Sequence, residues 1–165
     1  MALSIQPLSA DHDRVGFDCG SEPLNSYLRQ NARQHADRGV SKTFVLVEDG
    51  AEKPQPILGY FTLSICQIVG ENLPPEIARK FPRTVGGVRL GRLAIATHHQ
   101  RKGYGQTLLA DALKRCRAIA DQAGGIGLFV DAKDEHARAY YGQFGFVSLT
   151  PDPLQMFLPI KSMLL

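Results

Sequence analysis

One glycine-rich turn constrains the fold of this chain more than any other segment of its sequence. The turn Gln100-Arg101-Lys102-Gly103-Tyr104-Gly105 follows an apolar, strand-like run at residues 88–96. It precedes residues 105–122, in which apolar side chains recur at helical spacing. Backbone N–H groups at a helix N-terminus lack intrahelical partners, and glycine lets the main chain approach an anion closely. The segment therefore predicts a phosphate-binding turn, with a simple strand-to-helix connection as the alternative.

This turn does not match two well-known phosphate-binding motifs. In a dinucleotide fingerprint the third glycine would fall where this chain has Leu108, and a P-loop would end in Gly-Lys-Ser or Gly-Lys-Thr. Gln100, Arg101 and Lys102 nevertheless add hydrogen-bond donors and positive charge beside the glycines. The class of ligand must therefore be inferred from the rest of the sequence.

The remaining hydrophobic pattern predicts an α/β protein with a mixed sheet, organised as a single domain over residues 1–165. Ser21 is expected to cap a helix that carries Pro23 in its first turn and stops near Gly39. Residues 43–48 and 58–69 are expected to form an antiparallel hairpin. The other predicted elements are a strand at 3–8, a short helix within 75–81, a strand at 126–132, a helix at 134–141, a strand beginning at Phe144 and a last strand at 156–160.

Positive charge is concentrated in one segment of the sequence. The net charge is +3, but no acidic residue lies between Glu76 and Asp111. That interval holds seven of the 19 lysines and arginines, so the rest of the chain is net negative. Such a segment indicates a polyanionic ligand, and a solvated loop balanced by acids elsewhere is the alternative. The seven cations are Arg79, Lys80, Arg83, Arg89, Arg92, Arg101 and Lys102.

Several classes of protein do not fit the sequence. Residues 1–9 lack the basic and apolar regions of a signal peptide, and no apolar run reaches the roughly 18 residues of a membrane span. The three cysteines, Cys19, Cys66 and Cys116, are few and far apart, which argues against a disulfide framework or a zinc motif. We therefore expect a cytoplasmic protein with no bound metal and no membrane association.

Two motifs in the sequence resemble those of the GNAT acetyltransferases. The first is Gln100-x-x-Gly103-x-Gly105 after the strand Arg92-Leu93-Ala94-Ile95, which is similar to the acetyl-CoA motif of that family. The second, Ala137-x-x-Tyr140-Tyr141-x-x-x-Gly145-Phe146, matches the family's Ala-x-x-aromatic-Tyr-x-x-x-Gly-Phe element. The resemblance covers nearly the whole chain. It implies the GNAT fold, in which helices flank a mixed, mostly antiparallel central sheet.

The resemblance also implies roles for individual residues. The backbone of Leu93, Ala94 and Ile95 would pair with the pantetheine arm of acetyl-CoA, and Gln100, Arg101, Lys102, Gly103, Tyr104 and Gly105 would hold the pyrophosphate. Tyr141 would protonate the departing CoA thiolate. A phenol with an ordinary pKa of about 10 is protonated at neutral pH, so it can supply that proton. Packing is the alternative for Tyr141, and it is the expected role of Tyr140.

The expected reaction is direct attack of an amine on the thioester of acetyl-CoA. No Ser-His-Asp order or Cys-His pair in the sequence indicates a covalent intermediate. An α-amino group with a pKa of about 8 needs little help from a base, so no catalytic base is assigned. His98 and His99 lie near the turn, and we expect them to be structural or exposed.

A finer resemblance concerns one subgroup of the family, the toxin acetyltransferases of type II toxin–antitoxin systems. It is carried by Phe17-x-Cys19-Gly20-x-x-x-Leu24-Asn25-x-Tyr27-Leu28, by Leu90-Gly91-Arg92-Leu93-Ala94 and by Met156-Phe157-Leu158-Pro159. This resemblance implies acetylation of the amino group of aminoacyl-tRNA and a block of translation. It also implies a ribbon-helix-helix antitoxin as partner and a homodimer.

The basic segment fits a tRNA substrate. Acetyl-CoA needs about two or three cations, so seven leave a surplus for a second polyanion. Arg79, Lys80 and Arg83 are candidates for contact with the tRNA backbone. Strict alternation would put Arg89 and Arg92 on opposite faces of their strand, although the family places a bulge there. Arg92 is the stronger candidate for the acceptor end, with a structural ion pair as its alternative.

Other functions remain open on the sequence alone. An enzyme acting on a small amine, such as an antibiotic or a polyamine, would favour acidic residues near the acetyl group, and the basic segment has none. A non-catalytic acetyl-CoA-binding or DNA-binding module would not need Tyr141. The choice of aminoacyl-tRNA, the antitoxin, the oligomeric state and any general base are not determined by the sequence.

Two segments depart from the expected pattern. Arg101 stands where the family's turn often has glycine, which leaves the local path of the backbone open. Residues 49–56 form a longer connection than a tight hairpin turn requires, and the sequence suggests no role for it.

Overall fold

The order of strands and helices agrees with the predicted α/β class. The structure is a computed structural model, and it describes residues 2–162. Its strands are β1 (Leu3–Pro7), β2 (His12–Asp13), β3 (Lys42–Glu48), β4 (Gln55–Pro56), β5 (Gly59–Val69), β6 (Thr84–Ile95), β7 (Gly127–Asp131), β8 (Val147–Ser148) and β9 (Gln155–Pro159). Its helices are α1 (Glu22–Ser26), α2 (Ala32–Asp37), α3 (Pro75–Ala78), α4 (Tyr104–Ala123) and α5 (Glu135–Gly142), with a π-helical turn (Tyr27–Asn31) between α1 and α2.

Seven of these strands are hydrogen-bonded in the order β1-β3-β5-β6-β7-β9-β8. The pairs β1–β3, β3–β5, β7–β9 and β8–β9 are antiparallel, and β6–β7 is parallel. The sheet is therefore mixed and mostly antiparallel, as predicted. The predicted hairpin is confirmed by the β3–β5 register, which runs from Lys42 opposite Leu63 to Leu46 opposite Gly59.

The long connection between β3 and β5 has a structural role that the sequence did not suggest. Its strand β4 pairs in parallel with β2, with His12 opposite Gln55 and Asp13 opposite Pro56. The backbone N–H of Gln55 donates to the carbonyl of Asp11 at 2.7 Å. The connection therefore holds the chain that follows β1.

The described chain divides into two compact units. The first contains residues 2–64 and 91–112, and the second contains residues 65–90 and 113–162. Strands β5 and β6 and helix α4 each contribute residues to both units. The buried residues Leu108, Leu109, Ala112 and Cys116 confirm the predicted apolar face of α4.

In the first unit, the N-terminal helical segment packs on β3 and β5. Its buried Tyr27, Leu28 and Ala32 lie in one apolar cluster with Val45 and Tyr60. The prediction of one regular helix is wrong in two details. A π-helical turn interrupts the segment, and such turns occur frequently at functional sites. Ser21 occupies the N-cap position, and its carbonyl accepts from the N–H of Asn25 at 2.9 Å, but its side chain forms no capping bond.

In the second unit, stacked aromatic rings form the centre of the core. The rings of Phe129 and Phe157 lie 4.7 Å apart, within an apolar cluster that also contains Ile68 and Leu73.

The last short hairpin begins later than predicted. The strand starts at Val147 rather than at Phe144, because Gly145 has a φ of 95°, which is incompatible with extended backbone.

The sequence predicted no membrane span, no zinc motif and no disulfide framework, and the structure can be compared with these predictions over residues 2–162. Within that range no helix is long and apolar enough to cross a membrane. The same range contains no group of three or more potential metal ligands of the His, Cys, Asp or Glu type. Cys19, Cys66 and Cys116 are free thiols.

Candidate active site

Strand β6 leads into the glycine-rich turn and extends past its parallel neighbour. Its register with β7 includes only Val88, Arg89 and Leu90. Leu93, Ala94 and Ile95 lie beyond the end of that ladder. A strand edge outside a ladder offers N–H and C=O groups that an amide-containing ligand can pair with. This is the edge to which the sequence assigned the pantetheine arm.

The turn itself adopts a backbone conformation that favours glycine. Gly103 has a φ of 81° and Arg101 a φ of 63°, and Arg101 is the only non-glycine residue of the described chain with positive φ. Left-handed backbone in a bulky residue is disfavoured and tends to occur at functional sites. Arg101 therefore follows the backbone path that glycine would take. The arginine side chain adds a cation at this position.

Helix α4 begins at Tyr104, directly after the turn. Because the first N–H groups of a helix have no intrahelical acceptor, those of Tyr104, Gly105 and Gln106 are available to an anion, and the helix dipole favours negative charge there. The side chains of Arg101 and Lys102 are exposed, and neither forms an ion pair with any other residue in the range 2–162. The turn can therefore hold a pyrophosphate by backbone donors and by two cations.

The side chain of Gln100 shapes the turn. Its amide nitrogen donates to the carbonyl of Cys19 at 3.1 Å and to the carbonyl of Ile95 at 2.9 Å. An amide group has two N–H donors, and both are used by these bonds. In this structure the Gln100 side chain therefore offers no free N–H to a phosphate, and its assignment to the pyrophosphate stays a prediction. Gln100 connects the end of β6 to the loop before α1.

That loop is ordered by a small polar network that sequence reasoning missed. The carboxylate of Asp18 accepts from the side chain of Asn25 and from the N–H of Gly20, both at 2.9 Å. The side-chain oxygen of Asn25 accepts from the N–H of Cys19 at 2.9 Å. Thr97 donates to the carbonyl of Asp18 through its N–H at 2.8 Å and through its hydroxyl at 3.0 Å. The hydrogen bond from Gly20, followed by that from Asn25, lowers the pKa of the Asp18 carboxyl.

A sequence signal for this network existed. The N-terminal signature of the toxin subgroup includes Phe17, Cys19, Gly20 and Asn25. The structure shows that this signature supports the turn through the carbonyl of Cys19, which accepts from Gln100, and through Asn25, which holds the neighbouring Asp18.

The two arginines of β6 have different partners. The guanidinium of Arg89 forms an ion pair with Asp131 at 2.6 Å. The guanidinium carbon of Arg92 lies 3.5 Å from the centroid of the Tyr27 ring, and Arg92 forms no ion pair or hydrogen bond with any residue between 2 and 162. A structural ion pair was the alternative role for Arg92, but within residues 2–162 it is Arg89, and not Arg92, that forms an ion pair.

The other predicted tRNA contacts lie in the second unit. Arg79, Lys80 and Arg83 are exposed in the loop that connects α3 to β6. None of the three pairs with an acid within residues 2–162. The loop is anchored near its end, where the N–H of Gly70 donates to the carbonyl of Arg83 at 2.6 Å. These three cations are therefore available to a ligand.

Tyr141 lies on α5, also in the second unit. Asp134 caps that helix by accepting from the N–H of Ala137 at 2.8 Å. The Tyr141 ring is partly buried, with the Phe146 ring at 5.5 Å and the Tyr140 ring at 5.6 Å. Burial, and secondarily Tyr140, raises the pKa of Tyr141 above its ordinary value. The phenol therefore remains a protonated donor at neutral pH.

A site for a ligand that carries both amides and phosphates is formed by three features. They are the edge of β6 beyond its ladder with β7, the glycine-rich turn and the N-terminus of α4. The model of the acetyltransferase (GNAT) family matches residues 10–146. The chain belongs to this family. It is an N-acetyltransferase, and its cofactor is acetyl-CoA.

Relatives of known character extend over almost the whole chain. A tRNA-acetylating toxin of Mycobacterium tuberculosis is 32% identical to it over 93% of this chain and 90% of the relative. The structure of AtaT complexed with acetyl-methionyl-tRNAfMet has a TM-score of 0.88 and 34% identity, covering 98% of this chain and 96% of that chain. A mutant AtaT toxin bound to the C-terminus of the antitoxin AtaR and to acetyl-CoA has a TM-score of 0.80 and 31% identity, with coverage of 97% and 94%.

The role of Gln100 in shaping the turn can be tested by Gln100→Ala. This change removes both hydrogen bonds to Cys19 and Ile95, so we expect the Kd for acetyl-CoA to rise about tenfold, since each bond is worth roughly 1 kcal/mol and part of the loss is recovered by water. Isothermal titration calorimetry measures the Kd. Gln34→Ala, a matched change of an exposed glutamine on α2, is the control. Equal affinity of the two variants would contradict the role.

Proposed function

We propose that this enzyme transfers the acetyl group of acetyl-CoA to the α-amino group of aminoacyl-tRNA, and that it is the toxin of a type II toxin–antitoxin pair. The observation that carries the proposal is the number of cations without acidic partners in the basic segment. Of its seven lysines and arginines, only Arg89 is neutralised by an acid within residues 2–162. The tRNA-acetylating activity of the M. tuberculosis relative supports the same substrate.

The charges can be divided between the two substrates. Arg101 and Lys102, beside the N-terminus of α4, suffice for the pyrophosphate of acetyl-CoA. Arg79, Lys80 and Arg83 then serve the tRNA backbone, and Arg92 serves the acceptor end. Because Arg89 is bound to Asp131, we assign it a smaller share of the tRNA contact than the sequence suggested. A polyanionic acceptor uses this surplus, whereas a cationic amine such as a polyamine would be repelled by it.

The reaction forms an amide and breaks a thioester. The unprotonated α-amino nitrogen attacks the acetyl carbonyl carbon, and the carbon–sulfur bond of the tetrahedral intermediate then breaks. Tyr141 would donate its phenolic proton to the departing thiolate and regain a proton from solvent, and the amine would lose its proton to solvent. With a pKa of about 8, a useful fraction of the amine is already unprotonated at neutral pH, so no side chain is assigned as base.

The product explains the toxicity. Acetylation converts the nucleophilic amine of the aminoacyl-tRNA into an amide, which cannot attack the next ester during peptide-bond formation. We propose that an antitoxin binds this chain, in keeping with the AtaT toxin bound to the C-terminus of the antitoxin AtaR. The ribbon-helix-helix fold of that antitoxin is what the sequence resemblance implies. We also propose a homodimer, and a cytoplasmic location because charged tRNA is found there.

We propose further that residues 1–165 act as one catalytic domain. The family model extends from residue 10 to residue 146 and so includes residues of both compact units. The residues assigned to acetyl-CoA lie in the first unit, and Tyr141 and Arg79, Lys80 and Arg83 lie in the second. Each unit therefore contains residues that the family resemblance assigns to the reaction.

The function is tested by incubating the full chain with labelled acetyl-CoA and total charged tRNA. We expect acid-precipitable label on aminoacyl-tRNA, which deacylation at alkaline pH releases as N-acetyl amino acid. Uncharged tRNA is the matched control and should acquire no label. Label that enters a polyamine or a protein, and no aminoacyl-tRNA, would contradict the proposal.

The role of Tyr141 as acid is tested by Tyr141→Phe. Loss of a general acid lowers kcat by about 100-fold, while the Kd for acetyl-CoA remains nearly unchanged. Because burial raises the pKa of Tyr141, the phenol stays protonated throughout the neutral range, and the ratio of wild-type to variant kcat should be constant from pH 6 to about 9. Steady-state kinetics over this pH range measure the ratio.

The neighbouring Tyr140→Phe is the control for that experiment. Tyr140 packs against Phe144 with ring centroids 5.2 Å apart, and its hydroxyl has no assigned part in the reaction. We expect its kcat to be close to that of the wild type. A ratio of one for Tyr141→Phe, or equal losses in the two variants, would remove Tyr141 from the acid role.

The basic loop is tested by replacing Arg79, Lys80 and Arg83 with glutamine. If these cations contact phosphates, the KM for aminoacyl-tRNA rises and the slope of log KM against log salt concentration falls by about 2 to 3. The KM for acetyl-CoA should not change. A control with the same change in net charge replaces Lys53, Arg117 and Arg138, each of which is paired with an acid. Equal effects of the two triple variants would show that only net charge matters.

A further inference from the structure

The N-terminal signature contains a tyrosine whose face carries the Arg92 guanidinium. Tyr27 lies in the π-helical turn and is only 5% exposed. Its ring centroid is 3.5 Å from the guanidinium carbon of Arg92, well inside the roughly 6 Å range in which a cation is attracted to an aromatic face. Both residues lie in the first unit. Tyr27 therefore contacts the cation that is the stronger candidate for the acceptor end.

The ring of Tyr27 is itself held from the other side. Its hydroxyl is hydrogen-bonded to Nδ1 of His35 at 3.0 Å and to Oγ of Ser41 at 2.8 Å. Ser41 is buried, and the His35 ring contacts the Tyr27 ring edge-on at 5.3 Å. Two hydrogen bonds at one end of the ring and close packing around it fix the plane on which the guanidinium rests.

The guanidinium has no competing partner in the described part of the chain. Arg92 is partly buried, yet no carboxylate or carbonyl oxygen of residues 2–162 accepts a hydrogen bond from it. Its five N–H donors are therefore available in a fixed fork, which matches the oxygens of a phosphate. Arg89, three residues earlier on the same strand, differs because Asp131 occupies it.

We propose that Tyr27 is a positioning residue that pre-orients Arg92 to bind a phosphate of the tRNA acceptor strand. This inference rests on the proposed function. Aromatic stacking holds the planar guanidinium in one orientation without using any of its donors, whereas a carboxylate partner would use them. The guanidinium is thus ordered before the substrate arrives, and binding does not have to order it.

The test is a double-mutant cycle with charged tRNA as the varied substrate. Tyr27→Leu removes the aromatic face, and we expect it to raise the KM for aminoacyl-tRNA about tenfold while leaving the KM for acetyl-CoA unchanged. Tyr27→Phe keeps the face and loses only the hydroxyl, so its KM should rise much less. In the Arg92→Ala background, Tyr27→Leu should have no further effect on that KM.

A structural role alone gives a different pattern. Leu28→Val, a change in the adjacent buried residue, is the control for general loss of packing, and thermal unfolding is measured for every variant. Additive effects of Tyr27→Leu and Arg92→Ala, or a rise in the KM for acetyl-CoA equal to that for tRNA, would overturn the inference. A wild-type enzyme that acetylates no charged tRNA removes the proposed function itself, and this outcome is distinct from additivity in an active enzyme.

A measurement on the wild type and Tyr27→Phe keeps the inference testable if Tyr27→Leu does not fold. The Nε–H resonance of Arg92 is assigned by comparison with Arg92→Ala. In the wild type it should be shifted upfield by the ring current of Tyr27, and in Tyr27→Phe most of that shift should persist. A wild-type resonance at the position of a free arginine would show that the guanidinium is not held on the ring, and would overturn the inference.

Discussion

The bidentate use of the Gln100 amide is the interaction on which the cofactor half of the site depends. It joins the last residue of β6 to the loop before α1, and it does so directly before the turn that must present its N–H groups to a pyrophosphate. A turn of this kind has left-handed backbone at Arg101 and Gly103, which short-range preferences alone would not maintain at an arginine. The two bonds fix the residue at which the turn begins.

The N-terminal helical segment supports two different ligands. Asn25 orders the loop that receives Gln100, and Tyr27, two residues later, carries Arg92. Both side chains are almost fully buried, although neither is a simple packing residue. The π-helical turn begins at Tyr27, and such turns occur frequently at functional sites. Residues of the subgroup signature thus hold other residues of the site in place.

The cations of the basic segment differ in the groups that they contact more than in their positions along the chain. Arg89 and Arg92 are three residues apart on one strand, yet one is neutralised by Asp131 and the other rests on an aromatic face with its donors available. Arg79, Lys80 and Arg83 remain solvated in their loop. The acid-free segment therefore contains three kinds of cation. Arg89 is neutralised in an ion pair, Arg92 rests on an aromatic ring, and the cations of the loop before β6 are exposed to solvent.

The sequence by itself determined the fold class, the turn, helix α4 and the position of Tyr141, because each depends on contiguous residues or on periodicity along the chain. It did not determine the role of Gln100, whose partner Cys19 is 81 residues away, nor which arginine of β6 is paired. It identified Ser21 as the N-cap of α1 but not the absence of a side-chain capping bond there, and it placed a strand across Gly145. Such features depend on which distant groups meet when the chain folds, and only the tertiary structure decides that.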